Sequence, residues 1–227
     1  LARDGVMCTE GYVSAPVCSP SRAGIMTGRN QVEFGFDNNI GGSQPGFDPS
    51  FLGLPLSETT IAERLQKQKY TTGIIGKWHL GELPEYHPGK RGFDEYWTYK
   101  KGAHDYFIAD PSLSGIRDSI DCNYKKVAGI SYITDDKGDE AADFIKRHSD
   151  EPFFLFVSFN APHTPMQAKE STLALYTHIR NEKRRTYAAM VHTMDENVGK
   201  IIDEVEKQGI SDNTLIVFLS DNGGPVT

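Results

Sequence analysis

Cys18 opens the run Cys18-Ser19-Pro20-Ser21-Arg22, which continues into Met26-Thr27-Gly28-Arg29. Pro20 suits the first turn of a helix, where its missing N–H is one the helix does not use. A helix over residues 20–28 is therefore predicted, with Cys18 at its N-terminal mouth. Free N–H groups and the positive end of the helix dipole make that mouth favourable to anions, and Arg22 adds a fixed positive charge. A cysteine in such a place has a lowered pKa and is reactive. The plain alternative, a structural cysteine before a helix, fits these surroundings less well. Cys8 and Cys122 are the remaining cysteines of an odd set of three. The set is not a disulfide scaffold and has no zinc spacing, although a Cys8–Cys122 bridge remains open.

Three more places carry polar chemistry. They are Gly76-Lys77-Trp78-His79-Leu80-Gly81, Asn160-Ala161-Pro162-His163-Thr164-Pro165, and Ser220-Asp221-Asn222-Gly223-Gly224. Each has a bland reading as a turn or a stiff loop. Their chemistry is complementary, however. Asp221 and Asn222 offer hard oxygens suited to calcium or magnesium. Lys77 is a point charge for an anionic oxygen, and His79 and His163 can move protons near neutral pH. An anion, a divalent cation and proton transfer together fit hydrolysis of a phosphate or sulfate ester.

The elements that must position these residues follow from periodicity. Residues 57–70 read as a helix, with Thr60 and Glu63 at capping-box spacing and Ile61, Ala62 and Leu65 as its apolar stripe. Strands are predicted at 71–75, at 153–159 (FFLFVSF) and at 214–219 (TLIVFL), the last two with the continuous apolar pattern of a sheet buried on both faces. A helix over 135–148 is acidic first and basic last, as its dipole prefers. Another carries Tyr187, Met190, Val191, Met194, Val198, Ile201, Ile202 and Val205 at helical spacing and stops at Gly209. Helix then strand, three times over, predicts an α/β fold with a largely parallel sheet. Ligands in such sheets bind beyond the carboxyl ends of the strands, and each predicted strand runs straight into one of the three clusters. Residues 81–134 lack clear periodicity and read as a long excursion over the sheet edge.

Composition limits the partners. The net charge of −7 argues against non-specific binding to nucleic acid or an anionic membrane. No run approaches the roughly 18 apolar residues of a membrane span, and no secretory signal opens the chain. His192 and Asp195 share a face of the long helix, and the structural reading is preferred for both. His104-Asp105-Tyr106 lies in the excursion, within reach of a substrate there. Trp78, Tyr96, Trp97, Tyr99 and Tyr106 could stack on sugar rings or pack a core.

The string at 18–22 with its continuation to Arg29 resembles the signature of the type I sulfatases, arylsulfatase-like members of the alkaline phosphatase superfamily. GKWHLG (76–81), APHTP (161–165) and SDNGG (220–224) resemble further blocks of that family, in order along essentially the whole chain. The resemblance implies a three-layer sandwich around a mostly parallel sheet, with residues 1–227 forming part of the N-terminal catalytic domain. It implies that Cys18 is oxidised to formylglycine by a formylglycine-generating enzyme. The hydrated aldehyde then attacks sulfur with one hydroxyl, and loss of the proton from the other expels sulfate. By the same match Arg22 and Lys77 steady the nucleophile and the sulfate. His79 would be the base for the second hydroxyl, and His163 would help protonate the leaving group. Asp221 and Asn222 would bind calcium, or magnesium in some members. A sulfated small molecule or glycan is the implied substrate, and the periplasm, the extracellular space or the lysosome the implied setting.

Family members begin with a strand ending in two aspartates that complete the metal site, and they carry a further lysine and a C-terminal subdomain after the SDNGG block. These lie outside the 227 residues, so the chain reads as an internal piece or a truncated gene. Alone it is expected to bind metal weakly and to fold poorly, because a sheet lacking an interior strand exposes apolar edges. Two alternatives stay open: a phosphate or phosphonate ester hydrolase of the same fold, and a sulfated-glycan binding module with Cys18 unmodified.

Overall fold

A computed structural model describes residues 1–40 and 52–224. The predicted architecture is present: helices cover both faces of a mixed, mainly parallel sheet. Strand β1 (Thr71–Lys77) lies between β2 (Glu95–Tyr99) and β5 (Phe153–Ser158), parallel to both. Two short antiparallel strands, β3 (Ile120–Cys122) and β4 (Lys125–Val127), extend the β2 side, giving the order β4-β3-β2-β1-β5. Alternation along β1 sends Ile74 to one face and Ile75 to the other. Ile74 packs with Ala23 and Met26 of α1 (Cys18–Thr27) and Ala62 of α2 (Ile61–Lys67). Ile75 packs with Ile133, Ala141 and Phe144 of α3 (Ile133–His148) and Met190 of α5 (Glu182–Lys207). A five-residue helix, α4 (Glu170–Ala174), lies against α5.

The capping box of α2 forms as expected, with Thr60 Oγ1 accepting from the Glu63 N–H at 3.0 Å and Glu63 Oε2 accepting from the Thr60 N–H at 2.7 Å. Gly28 closes α1 with a left-handed φ of 67° and an N–H donated to the Gly24 carbonyl. Gly76 has φ 111°, and a Cβ there would meet the Ser158 carbonyl oxygen at 2.1 Å, so only glycine lets β1 run this close to β5.

The structure corrects five expectations. Residues 214–219 are extended but join no strand among the described residues, and Leu215, Val217, Phe218 and Leu219 are exposed. A strand needs a hydrogen-bonding neighbour as well as β-forming residues. Among the described residues none pairs with this segment, and the outer edge of β5 is likewise unpaired there. For the same reason Phe153 to Val157 are half-buried where full burial was expected. Residues 81–134 are not irregular throughout, since they contain β2, β3 and β4. Helix α2 starts at Ile61, with Glu58 in a turn before it, and α1 begins at Cys18 itself. Pro20 is then the third helical residue, still among the positions whose N–H has no intrahelical partner.

Candidate active site

Cys18, Arg22, Lys77, His79, His163 and Asp221 converge where the predicted strand-end clusters were expected to meet. Helix α1 presents Cys18 at its first turn. Val17 provides no side-chain cap, and the Ser19 N–H is taken by Asn39 Oδ1 at 2.8 Å. One turn on, Arg22 is buried and points at the end of β1. Its Nε–H donates to the Trp78 carbonyl at 2.8 Å, a second guanidinium N–H donates to the Lys77 carbonyl, and a third nitrogen lies 4.0 Å from the Asp221 carboxylate. The guanidinium also stands 5.5 Å from the centre of the Phe156 ring. Its fork thus ties α1 to β1 and reaches the 221 loop, a geometry a lysine cannot reproduce. Ser21 Oγ adds a hydrogen bond to the Asp221 carbonyl.

Electrostatics follow from this crowding. Burial pushes the Cys18 thiol up, but the hydrogen bond with His163 and the nearby Lys77 ammonium more than offset it, bringing the pKa down to about 7. Lys77 is itself lowered by burial and by Arg22, with Cys18 opposing. The bond to Cys18 raises His163. Its Nδ1 lies 2.7 Å from the Thr164 carbonyl, which can only accept. Nδ1 therefore carries a proton, leaving Nε2 for Cys18.

His79 is the opposite case. Burial, Lys77 and Arg22 push it down to about 3, so it is neutral at any physiological pH. It sits at φ 55°, an uncommon conformation for a non-glycine residue; the ring is hydrogen-bonded to the Ile40 backbone, and its Nδ1 is buried without a partner among the described residues. Gly102 makes room for it, since a Cβ there would come within 2.5 Å of the imidazole. The ring is held neutral with a lone pair available, but burial and the two cations make it a weak base as it stands.

Asn222 donates its amide N–H to the Gly223 carbonyl at 3.3 Å, leaving Oδ1 buried with no donor among the described residues. An orphaned hard oxygen beside the Asp221 carboxylate fits a divalent cation such as calcium, although two residues supply only part of the 6–8 oxygens it takes. Among the described residues no three or more His, Cys, Asp or Glu side chains are grouped to hold a metal.

Some candidates fall away from the site. His104 spends both ring nitrogens on backbone carbonyls, those of Asp105 at 2.7 Å and Asp118 at 2.9 Å. Asp105 accepts from the Phe107 and Ile108 N–H groups, and the Tyr106 hydroxyl donates to the His163 carbonyl at 2.9 Å, so the triplet folds its loop and braces the His163 turn. Trp78, Tyr96, Trp97, Tyr99 and Tyr106 are all buried core residues, not sugar platforms. His192 hydrogen-bonds Tyr176 and Glu196 on the surface of α5, in line with the structural reading. All three cysteines are free, so no Cys8–Cys122 bridge forms.

Sequence reasoning passed over Lys137, which stands behind Lys77 and Arg22, and named Asn160 and Tyr99 without the contacts they make with it. Lys137 did leave a signal: with Ile133, Ala141 and Phe144 it occupies the apolar stripe of α3, where a charge is out of place.

The family model described as Sulfatase matches residues 1–227. The chain belongs to the sulfatase family. It is 34% identical over 238 residues to N-acetylgalactosamine-6-sulfatase of Homo sapiens, covering 98% of this chain and 44% of the relative. It is 33% identical to Arylsulfatase J of Mus musculus, covering 100% of this chain and 38% of that protein. Among solved structures, Ps i-CgsB in complex with k-i-k-neocarrahexaose superposes with a TM-score of 0.86 at 40% identity, covering 94% of this chain and 49% of that one. The chain thus spans less than half the length of these relatives.

Proposed function

We propose that the protein carrying this sulfatase chain hydrolyses sulfate esters of a carbohydrate, with residue 18 as the nucleophile. The observation that supports this best is Cys18 itself, hydrogen-bonded by His163, facing Lys77 and followed one turn later by buried Arg22. The sugar reading is supported by the 34% identical relative named for N-acetylgalactosamine-6-sulfate and by the carrageenan-bound neighbour.

Conversion of Cys18 to formylglycine, the work of a formylglycine-generating enzyme, would supply a hydrated aldehyde whose two oxygens allow attack on sulfur and later release of sulfate. Arg22 and Lys77 hold negative charge at that position in a water-poor setting, where fixed cations act strongly. By family likeness His79 is the base for the second hydroxyl, a role that requires the bound anion to offset Lys77 and Arg22 and raise its pKa, while His163, held protonated on Nδ1, presents its other nitrogen to the leaving oxygen. Asp221 and Asn222 would hold a calcium or magnesium ion, which would neutralise the sulfate as it is transferred. By family likeness the setting is an exported one: periplasm, extracellular space or lysosome.

The test is sulfate release. The protein co-produced with a formylglycine-generating enzyme should release sulfate from sulfated N-acetylgalactosamine or carrageenan oligosaccharides, and Cys18→Ala should abolish it. Faster turnover of the matching phosphate esters, or tight glycan binding without release from fully converted protein, would contradict the proposal.

A further inference from the structure

Lys137 is the most anomalous buried lysine among the described residues. It is wholly buried on the sheet-facing stripe of α3. Its stem lies beneath Gly76, where a Cβ would approach Lys137 Cε to 3.1 Å. Its Nζ sits 5.0 Å from the centre of the Tyr99 ring and donates to Asn160 Oδ1. No carboxylate pairs with it among the described residues. The charges around it are Asp136 on its own helix, Lys77 on β1 and Arg22 on α1, with His104 beyond Tyr99. A methionine or leucine would fill this space without the cost of burying a polar head group.

The side chain's one strong bond suggests what it does. Asn160 opens the turn at the end of β5, and its carbonyl accepts the His163 N–H at 2.6 Å. Burial pushes Lys137 well below the ordinary lysine range, and its Nζ–H donates to Asn160 Oδ1 as amine or ammonium, holding that side chain against α3. The Asn160 Nδ2 is buried with no partner among the described residues. The Asn160 side chain is therefore anchored to α3 while its backbone anchors His163.

We propose that Lys137 is a positioning residue of the active site: through Asn160 it sets the Asn160–His163 turn and so places the His163 imidazole against residue 18. The catalytic part of this rests on the proposed sulfate-ester reading. The placement of His163 does not, and it can be read in protein whose Cys18 has not been converted.

The first readout is therefore the pH midpoint of Cys18 alkylation by iodoacetamide in unconverted protein. The charged groups facing Cys18 are His163, Lys77, Arg22 and Asp221, and of these only His163 is held through Asn160. Lys137→Met should raise the midpoint by about one pH unit, making alkylation about fivefold slower at pH 7. Asn160→Leu should do the same, and the double variant should be no worse than either alone, as residues acting through one contact are not additive. In converted protein Lys137→Met should lower kcat about 10- to 100-fold and leave KM within about twofold. A folded Lys137→Met protein with the wild-type midpoint overturns the proposal. If that variant does not fold, an unshifted midpoint in Asn160→Leu overturns it instead. Absence of sulfate release from converted wild type together with a shifted midpoint would refute the sulfatase reading and leave the positioning role standing.

Discussion

Strand β1 and the segment 214–219 are alike in sequence and opposite in structure. Both are short runs rich in β-branched residues, and both lead directly into site residues, Lys77 and His79 in one case and Asp221 and Asn222 in the other. β1 is paired on both sides and buried from Thr72 onward. Residues 214–219 pair with nothing described and expose their apolar side chains. Residue type makes a chain extended, but a neighbour with free N–H and C=O groups makes it a strand. The site inherits the difference. Its Cys18–Arg22–Lys77–His163 half is fastened to α1, β1 and β5 by buried hydrogen bonds. Its Asp221–Asn222 half is tied to the rest of the site mainly by Ser21 and Arg22.

The largest expected effect comes from cutting the tie between the halves. Arg22→Met leaves the Lys77 and Trp78 carbonyls without their donor and Asp221 without its cation. It should cost about 3–5 kcal/mol, read as a lower urea midpoint. Arg22→Lys should recover only part of this, because a single ammonium cannot serve all three partners.

Truncation inside each run probes the comparison itself. Ile74→Ala should cost about 2–5 kcal/mol, whereas Val217→Ala should stay within about 0.5 kcal/mol. Equal losses in the two urea midpoints would mean that 214–219 is packed in solution. The exposed run should also make the chain sticky. Leu215→Lys with Phe218→Lys should reduce light scattering at high protein concentration with little change in stability.

The smallest effect is a titration. Alkylation of unconverted Cys18 should rise with pH around a midpoint of about 7. Lys77→Met or His163→Ala should move it upward, because each removes a group that favours the thiolate. Cys122, which burial pushes up, should react only at higher pH and serves as the internal contrast.

Much of this was legible in the sequence because it is local. Thr60 and Glu63 announce the start of α2 through spacing alone, and Gly28 and Gly209 mark helix ends because a left-handed residue there favours glycine. The four chemical clusters were equally plain, and parallel pairing of β1 with β5 brings the Lys77 and His163 clusters together at one end of the sheet. What the sequence hid is non-local. Glu95 to Tyr99 reads as an aromatic tangle because both faces of β2 are covered, which erases alternation. The unpaired state of 214–219 depends on which strand stands beside it. The cluster of Lys137, Tyr99 and Asn160 draws one residue each from α3, β2 and the turn after β5, and no spacing rule connects them.

The account turns on Cys18, and the most direct measurement is the mass of the tryptic peptide Asp4–Arg22 from protein made in its native host, with fragmentation to locate any change. The sulfatase reading predicts a peptide in which residue 18 has exchanged a sulfur and two hydrogens for one oxygen, while Cys8 in the same peptide keeps its thiol. An unmodified Cys18 throughout the purified protein would contradict it and leave a reactive cysteine in an anion-binding pocket as the site's whole chemistry.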